Sequence, residues 1–355
     1  MTKKDLQNDT AYPVSIAPMM DHTDRHFRYF LRQITRRTLL YTEMKTSGAV
    51  LFGDREKILG FSEVEKPLVL QIGGDNPEEL AEASRIAEDM GYDGVNLNVG
   101  CPSDRVQQGR FGACLMAHPE LVARAVEAML KAVSIPVTVK HRIGIDGMEE
   151  YHHLHRFVKI VSEAGCRHFI VHARIAILKG LNPRENRTIP PLRYEDVYRL
   201  KEDFPHLIIE VNGGIRSLEE VHTHLQHVDG VMIGRAAYEN PYLFSEVDRM
   251  FYGSSHLPPS RREIIEAMIP YIEKWLAKGI YPNRITRHML GLFAHRPGAK
   301  AWKRYLSEHA HKPGTTADIL LKAMDFVPNA ILDERGLITT PQSHVRKENI
   351  ESHSP

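Results

Sequence analysis

DGVNLNVGCPSDRVQQGRFGACLM, residues 93–116, sets a strand, a turn and a thiol in succession. Val95 and Leu97 give 94–98 the apolar character of a buried strand, and Gly91 and Gly100 punctuate its ends. Cys101 follows at once between Gly100 and Pro102, so its backbone is held rigidly at the mouth of a sheet. The glycine-rich segment 109–112 behind it is suited to move as a lid.

Outward from this strand, apolar and often β-branched stretches recur at 14–18, 39–42, 68–72, 137–141, 168–172, 207–212 and 230–233. With 94–98 they make eight. Helical periodicities run between them at 77–90, 119–132, 149–164 and 218–225, and Asp24 stands as the N-cap of an earlier helix. Eight alternations predict an α/β fold, a (β/α)8 TIM barrel over residues 13–257, rather than an open doubly wound sheet. From Pro258 onward, helical patterns at 262–278, 284–293, 299–310 and 317–326 lack intervening strands, which predicts a small all-helical domain over 258–332. Residues 1–12 read as a flexible start and 333–355 as a polar, disordered tail.

A barrel keeps its chemistry at the C-terminal ends of its strands. Met19 and Met20 follow the first expected strand, Glu43 and Lys45 the second, Gln71 lies near the end of the third, and Asn98 and Cys101 close the fourth. Lys140 and Arg142 come at the fifth, His172 and Arg174 at the sixth, Asn212, Gly213 and Gly214 at the seventh, and Gly234 with Arg235 at the eighth. Paired glycines and an arginine after the last two strands suit a phosphate-bearing ligand, since glycine lets backbone N–H groups approach an anion. Lys140 has two readings: Schiff-base formation with a carbonyl, or charge held against an anion or a reduced flavin. Gln71 both donates and accepts, as the alternating edge of an isoalloxazine requires, and Met19 and Met20 suit its flat face.

Cys101 has three readings: nucleophile, general acid or inert buried thiol. A thiol with an ordinary pKa of about 8.5 is mostly protonated at neutral pH, which suits proton donation better than attack, and no neighbouring histidine proposes a thiolate. His152, His153 and His155, with His222, His224 and His227, fall on helices away from the strand ends and at poor metal spacings, so surface or helix-face roles are expected.

The 355 residues are 42% hydrophobic, enough for one large core and a smaller appended unit. Cys101, Cys114 and Cys166 form no CxxC pair, so neither a disulfide framework nor a zinc ribbon is indicated and a reducing compartment fits. MTKKDLQNDTAYP lacks the apolar core of a signal peptide and no apolar run reaches membrane-spanning length, so a soluble cytoplasmic protein is expected. Net charge is only +1, yet residues 281–312 hold seven Lys or Arg and one acidic residue, a local +6. A basic surface confined to the helical unit is what contact with nucleic-acid phosphates needs.

Several stretches together resemble the bacterial flavin-dependent tRNA-dihydrouridine synthases: APMMDHTDR at 17–25, LYTEM at 40–44, LNVGCPSDRVQQGRFGACLM at 97–116 and VTVKHRIGID at 137–146. HAR at 172–174, NGGI at 212–215 and GRAAYENP at 234–241 extend the likeness through the barrel. GLNPRENRTIPPL at 180–192, with TRHMLGLF and PGAKAWKRYLSE in the helical unit, looks like the A-type of that family, which acts on uridines 20 and 20a of the tRNA D-loop. The resemblance implies FMN bound by Pro18, Met19, Met20, Gln71, Lys140, His172, Asn212, Gly213, Gly214, Gly234 and Arg235, with NADPH as reductant. It further implies Cys101 as the proton donor to C5 of a uracil that receives hydride at C6, Asn98 on the uracil edge, and tRNA contacts at Arg184, Arg187, Lys300 and Lys303. Lysine stands at 300 and 303 where the likeness leads one to expect arginine, which keeps charge but loses forked hydrogen bonding. Ile175 and Ile177 likewise replace a more basic and aromatic pattern. No membrane and no obligate protein partner is indicated. An FMN reductase of a free pyrimidine or other enone, an RNA-binding protein without activity, and an aldolase on Lys140 are the rival readings.

Overall fold

The computed structural model describes residues 12–336. Strands form where the apolar stretches lie: β1 (Val14–Ile16), β2 (Leu40–Tyr41), β3 (Leu68–Gly73), β4 (Gly94–Val99), β5 (Val137–Arg142), β6 (His168–His172), β7 (Ile208–Asn212) and β8 (Gly230–Ile233). From β2 to β8 each pairs in parallel with the next, β8 pairs in parallel with β1, and a Ser15–Leu39 bridge closes the ring. The fold is thus the expected (β/α)8 barrel. One departure is the second strand, where the chain leaves the ladder at Thr42 and returns for Lys45–Thr46, which pair with the end of β3.

Alternation along the strands sorts the residues into two apolar clusters. Outward-facing Val14, Ile16, Leu68, Leu70, Val95 and Leu97 belong to the large cluster under the helices. Ala17, Leu39, Tyr41, Val69, Ile170 and Met232 form a small one inside the barrel. The interior also carries polar groups, several of them paired with one another. Glu210 Oε2 accepts from Ser15 Oγ at 2.8 Å and its Oε1 lies 2.7 Å from His168 Nε2. Gln71 Nε2 donates to Asn96 Oδ1 and Asn96 Nδ2 to Thr138 Oγ1, each at 2.8 Å.

Helix starts follow their caps. Asp24 accepts from the N–H groups of His26 and Phe27 to open Arg25–Arg32, and Asn76 caps Pro77–Asp89. The structure adds Ser47–Phe52, Arg55–Leu59 and Tyr194–Asp203, which the periodicities did not single out. Beyond Pro258 the helices are Arg261–Leu276, Asn283–Thr286, Ala299–His309, Ile319–Met324 and Asn329–Leu332. The helix expected over 284–293 ends at Thr286. Gly291 sits against the backbone of Tyr238 and Glu239, where a Cβ would meet their carbonyl oxygens at 2.8 and 2.7 Å, and His295 and Gly298 take positive φ (61° and 86°). This unit packs on the barrel through Tyr271, stacked on Tyr29 at 3.7 Å, and through Arg287 and His288, both paired with Asp24.

The stretch 333–355 is held at its start. Asp333 and Glu334 pair with Arg262 and Arg261, Arg335 pairs with Glu263, and Gly336 N–H donates to Tyr242 Oη. The remainder, 337–355, and residues 1–11 lie outside the described residues. Among the described residues no helix is long and apolar enough to cross a membrane.

Candidate active site

The C-terminal ends of the barrel strands open into a cavity of about 480 Å³. Asn98, Cys101, Lys140, His172 and Asn212 line it from four consecutive strands, Gln71 from β3, and Gly213, Gly214, Gly234 and Arg235 from the turns after β7 and β8. Pro18, Met19 and Met20 form a further wall. Arg187 reaches the rim, whereas Arg184, Lys300 and Lys303 do not line the cavity and are exposed. Glu43 and Lys45 also stay out: Glu43 accepts from Lys45 Nζ at 3.2 Å and from the Asp21 N–H at 2.7 Å, and Met44 between them takes the place in the lining.

Cys101 is placed by backbone geometry. Asn98 Oδ1 accepts from the N–H groups of Gly100 at 3.1 Å and Cys101 at 3.0 Å, and Asn98 Nδ2 donates to Gln71 Oε1 at 2.9 Å. Asn98 therefore holds the thiol loop, leaving one N–H for anything bound. Behind Cys101, the Ala113 N–H donates to the Cys101 carbonyl at 2.9 Å. In the expected lid at 109–112, Phe111 and Gly112 are buried, with Gly73 and Gly109 against the Phe111 ring, while Gly109 and Arg110 are exposed.

Cations surround the thiol. Arg142 is buried and bonds the carbonyls of Gly100, Ile175 and Asn186, stapling the loop after β4 to two points of the loop after β6. Burial lowers its guanidinium to about 10, so it stays charged at neutral pH. Lys140 Nζ donates to Asn212 Oδ1 at 3.1 Å. Burial, with Arg142 next to it, brings its ammonium down to about 7. Burial drives the His172 imidazole well below its ordinary range, with Arg142 and Lys140 adding to the effect, so the ring is neutral.

The loop 180–192 folds around Asn186, which is fully buried and bonds the backbone of Ile177 and Leu181. Ile175 and Ile177 contribute backbone groups to this arrangement, and the Ile175 side chain packs against the main apolar cluster. Of the seven cations in 281–312, Arg287 is paired with Asp24 and Arg296 with Glu334, leaving Arg284, Lys300, Lys303, Arg304 and Lys312 exposed. Of the six histidines, five lie on helices and His227 in the turn that follows Leu218–His224; His224 is buried and sits 2.7 Å from Tyr198 Oη, a helix-face role, not a surface one.

Three residues that the strand-end pattern does not single out, His22, Tyr238 and Glu239, complete the cavity wall. His22 stacks on Tyr238 with centroids 4.1 Å apart. His22 lies within the APMMDHTDR stretch, and Tyr238 and Glu239 lie in GRAAYENP, so the motif was the available signal.

The donor set suits a flat, phosphate-bearing group. Among the described residues the N–H groups of Gly213, Gly214, Gly234 and Arg235 meet no protein acceptor, Gly213 and Gly214 have φ of 119° and 78°, and a Cβ at Gly213 would strike His172 at 2.6 Å. Ala17, Met19, Met20 and Ile215 add apolar lining to the same cavity, with Ala17 and Met19 beside Gly234.

A parallel barrel whose strand ends gather a thiol, buried cations and amide-bearing glycine turns has its polar groups where barrel enzymes place their active sites. The chain matches the family model described as dihydrouridine synthase (Dus) over residues 15–329, and it belongs to that family of oxidoreductases. It is 63% identical over 312 residues to a tRNA-dihydrouridine(20/20a) synthase of Synechocystis sp., covering 88% of this chain and 93% of that protein. It is 57% identical to the protein of that name in Vibrio parahaemolyticus, covering 90% and 98%, and 56% identical to that of Escherichia coli K12, covering 88% and 91%. Among solved structures, a 2-naphthoyl-CoA reductase complexed with 2-naphthoyl-CoA superposes with a TM-score of 0.53 at 10% identity, over 70% of this chain and 52% of that one, a likeness of fold alone.

Proposed function

We propose that this protein reduces the 5,6 double bond of uracil at uridines 20 and 20a of the tRNA D-loop, with FMN as cofactor, NADPH as reductant and Cys101 as acid. The observation that carries the reading is the joint presence, in one cavity, of the Cys101 thiol and the unpaired amides of Gly213, Gly214, Gly234 and Arg235. FMN, when bound, supplies hydride to C6. The glycine amides and Arg235 hold its phosphate, Met19 and Met20 cover the ring, Gln71 meets its alternating edge, and Lys140 favours its reduced, anionic form. Cys101 gives its proton to C5, and Asn98 keeps the thiol on the approach to the base while its remaining N–H orients the uracil.

The target base is stacked in folded tRNA and must be extruded to reach a cavity of this depth. The helical unit over 258–332 supplies the grip: Lys300, Lys303 and Arg304 are exposed on Ala299–His309, Arg304 opposite buried Trp302 and Leu306 and Lys303 beside them. Arg184 and Arg187 meet the backbone nearer the mouth. Incubation of unmodified tRNA with the protein, FMN and NADPH, followed by nuclease digestion to oligonucleotides and their mass spectrometry, tests the reading. Two hydrogens gained at uridines 20 and 20a support it; unchanged tRNA alongside turnover of free pyrimidines would replace it with the free-base reductase.

A further inference from the structure

The turn after β7 contains a peptide unit flanked by glycine on both sides, Gly213–Gly214. Rotating that unit by half a turn changes only ψ of Gly213 and φ of Gly214, the two torsions glycine leaves most permissive. In a trans peptide the carbonyl and the following N–H point in opposite directions, so one orientation offers an N–H to a bound anion and the other offers an oxygen. A cradle for phosphate therefore needs something to select the orientation.

The selecting contact lies outside the cavity. Tyr194 Oη donates to the Gly213 carbonyl oxygen at 2.5 Å, and a Cβ on Gly214 would meet the same Oη at 2.9 Å. Tyr194 opens the helix Tyr194–Asp203 and is buttressed: the His224 ring meets its ring edge-on with centroids 4.5 Å apart, and Tyr198 Oη lies 2.7 Å from His224 Nδ1. Tyr198 is in turn stacked on His227 at 4.2 Å. Burial, with Glu220 nearby, pushes the Tyr194 phenol up to about 12, so it remains a donor throughout the neutral range.

We infer that Tyr194 is a positioning residue for the phosphate cradle: by holding the Gly213 carbonyl away from the cavity it forces the Gly214 N–H inward, and His224 and Tyr198 keep the phenol in place. The inference rests on the FMN reading and goes beyond it by assigning three residues that do not touch the ligand. It also explains why His224, alone of its group, is buried and bonded.

The test compares FMN with riboflavin, which lacks the phosphate, by flavin fluorescence quenching on wild-type protein, Tyr194→Phe and Tyr198→Phe. Phenylalanine keeps the ring against His224 and removes the donor. Tyr194→Phe is expected to weaken FMN binding about tenfold, the equivalent of one hydrogen bond, and to leave riboflavin binding unchanged. Tyr198→Phe is expected to act in the same direction by roughly threefold, through a looser His224. Equal weakening of FMN and riboflavin by Tyr194→Phe, or unaltered FMN affinity, would overturn the inference. Should Tyr194→Phe fold poorly, the same comparison on Tyr198→Phe decides the matter by the same criteria. Failure of the wild-type protein to bind FMN would instead fall on the cofactor reading and carry this inference with it.

Discussion

At the level of single residues, the cavity holds groups that act and groups that keep them in place. Cys101→Ala should retain bound flavin and lose dihydrouridine formation by about 10²- to 10⁴-fold, the usual worth of a positioned general acid; loss of flavin would show a structural thiol. Asn98→Ala removes both bonds from its Oδ1 to the Cys101 loop, and the bond from its Nδ2 to Gln71, and should lower kcat by a larger factor than FMN affinity in fluorescence titration. Lys140 sits at about 7 without an anion beside it. A reduced, anionic flavin would raise that value, so the stabilisation is complete below about pH 7 and fades as pH rises through the raised pKa. Lys140→Met should lower the two-electron potential by roughly 30–60 mV, equivalent to a charge-assisted hydrogen bond of about 1.5–3 kcal/mol, with the gap from wild type closing above pH 7 in spectroelectrochemical titration. A gap that widens with pH would contradict the assignment.

Among the secondary-structure elements, the helix Arg25–Arg32 joins the mouth to the helical unit. Asp24 caps it and also pairs with Arg287 and His288. Burial alone would raise the Asp24 carboxyl, but hydrogen bonds from His288, the Phe27 N–H and Arg287 hold it well below the usual carboxylate range. Its stabilisation is therefore full above the unfolded value of about 3.9 and is lost as pH falls further. Asp24→Ala should cost about 1–2 kcal/mol at pH 7 by denaturant unfolding, and the difference from wild type should shrink below pH 4. The cap itself was legible, because an Asp before an amphipathic run needs no tertiary information. The strands were legible for a similar reason: β4 to β8 are buried, and their recurring Val, Ile, Leu and Phe stand out even where polar residues such as Asn96, Thr138 and Glu210 alternate with them on the barrel interior. The window 284–293 misled because its periodicity is real while Gly291 answers a close approach to Tyr238 and Glu239, a constraint that no local pattern encodes.

For the molecule as a whole, barrel logic gathered cavity residues from seven of the eight strand ends, since chemistry at strand ends is a property of the fold class; after the second strand it named Glu43 and Lys45 where Met44 lines the cavity. His22, Tyr194 and His224 were not gathered, because their roles depend on which side chains meet across turns and helices. The basic window was visible as a count, but its division into paired Arg287 and Arg296 and five exposed cations required the acidic partners to be located. Lys300→Ala with Lys303→Ala should weaken tRNA binding and flatten its dependence on log salt by about two contacts' worth, leaving FMN affinity alone. Unchanged salt dependence would move the tRNA grip elsewhere.

Flavin chemistry on a macromolecular substrate is tested most sharply by stopped-flow oxidation of the reduced flavoprotein, followed by flavin absorbance, on mixing with unmodified tRNA or with free uridine. The expected outcome is rapid reoxidation by tRNA, slow or no reoxidation by uridine, and loss of the tRNA phase in Cys101→Ala. Equal reactivity with uridine and tRNA, or a reduced flavin that tRNA leaves untouched, would contradict the proposed function.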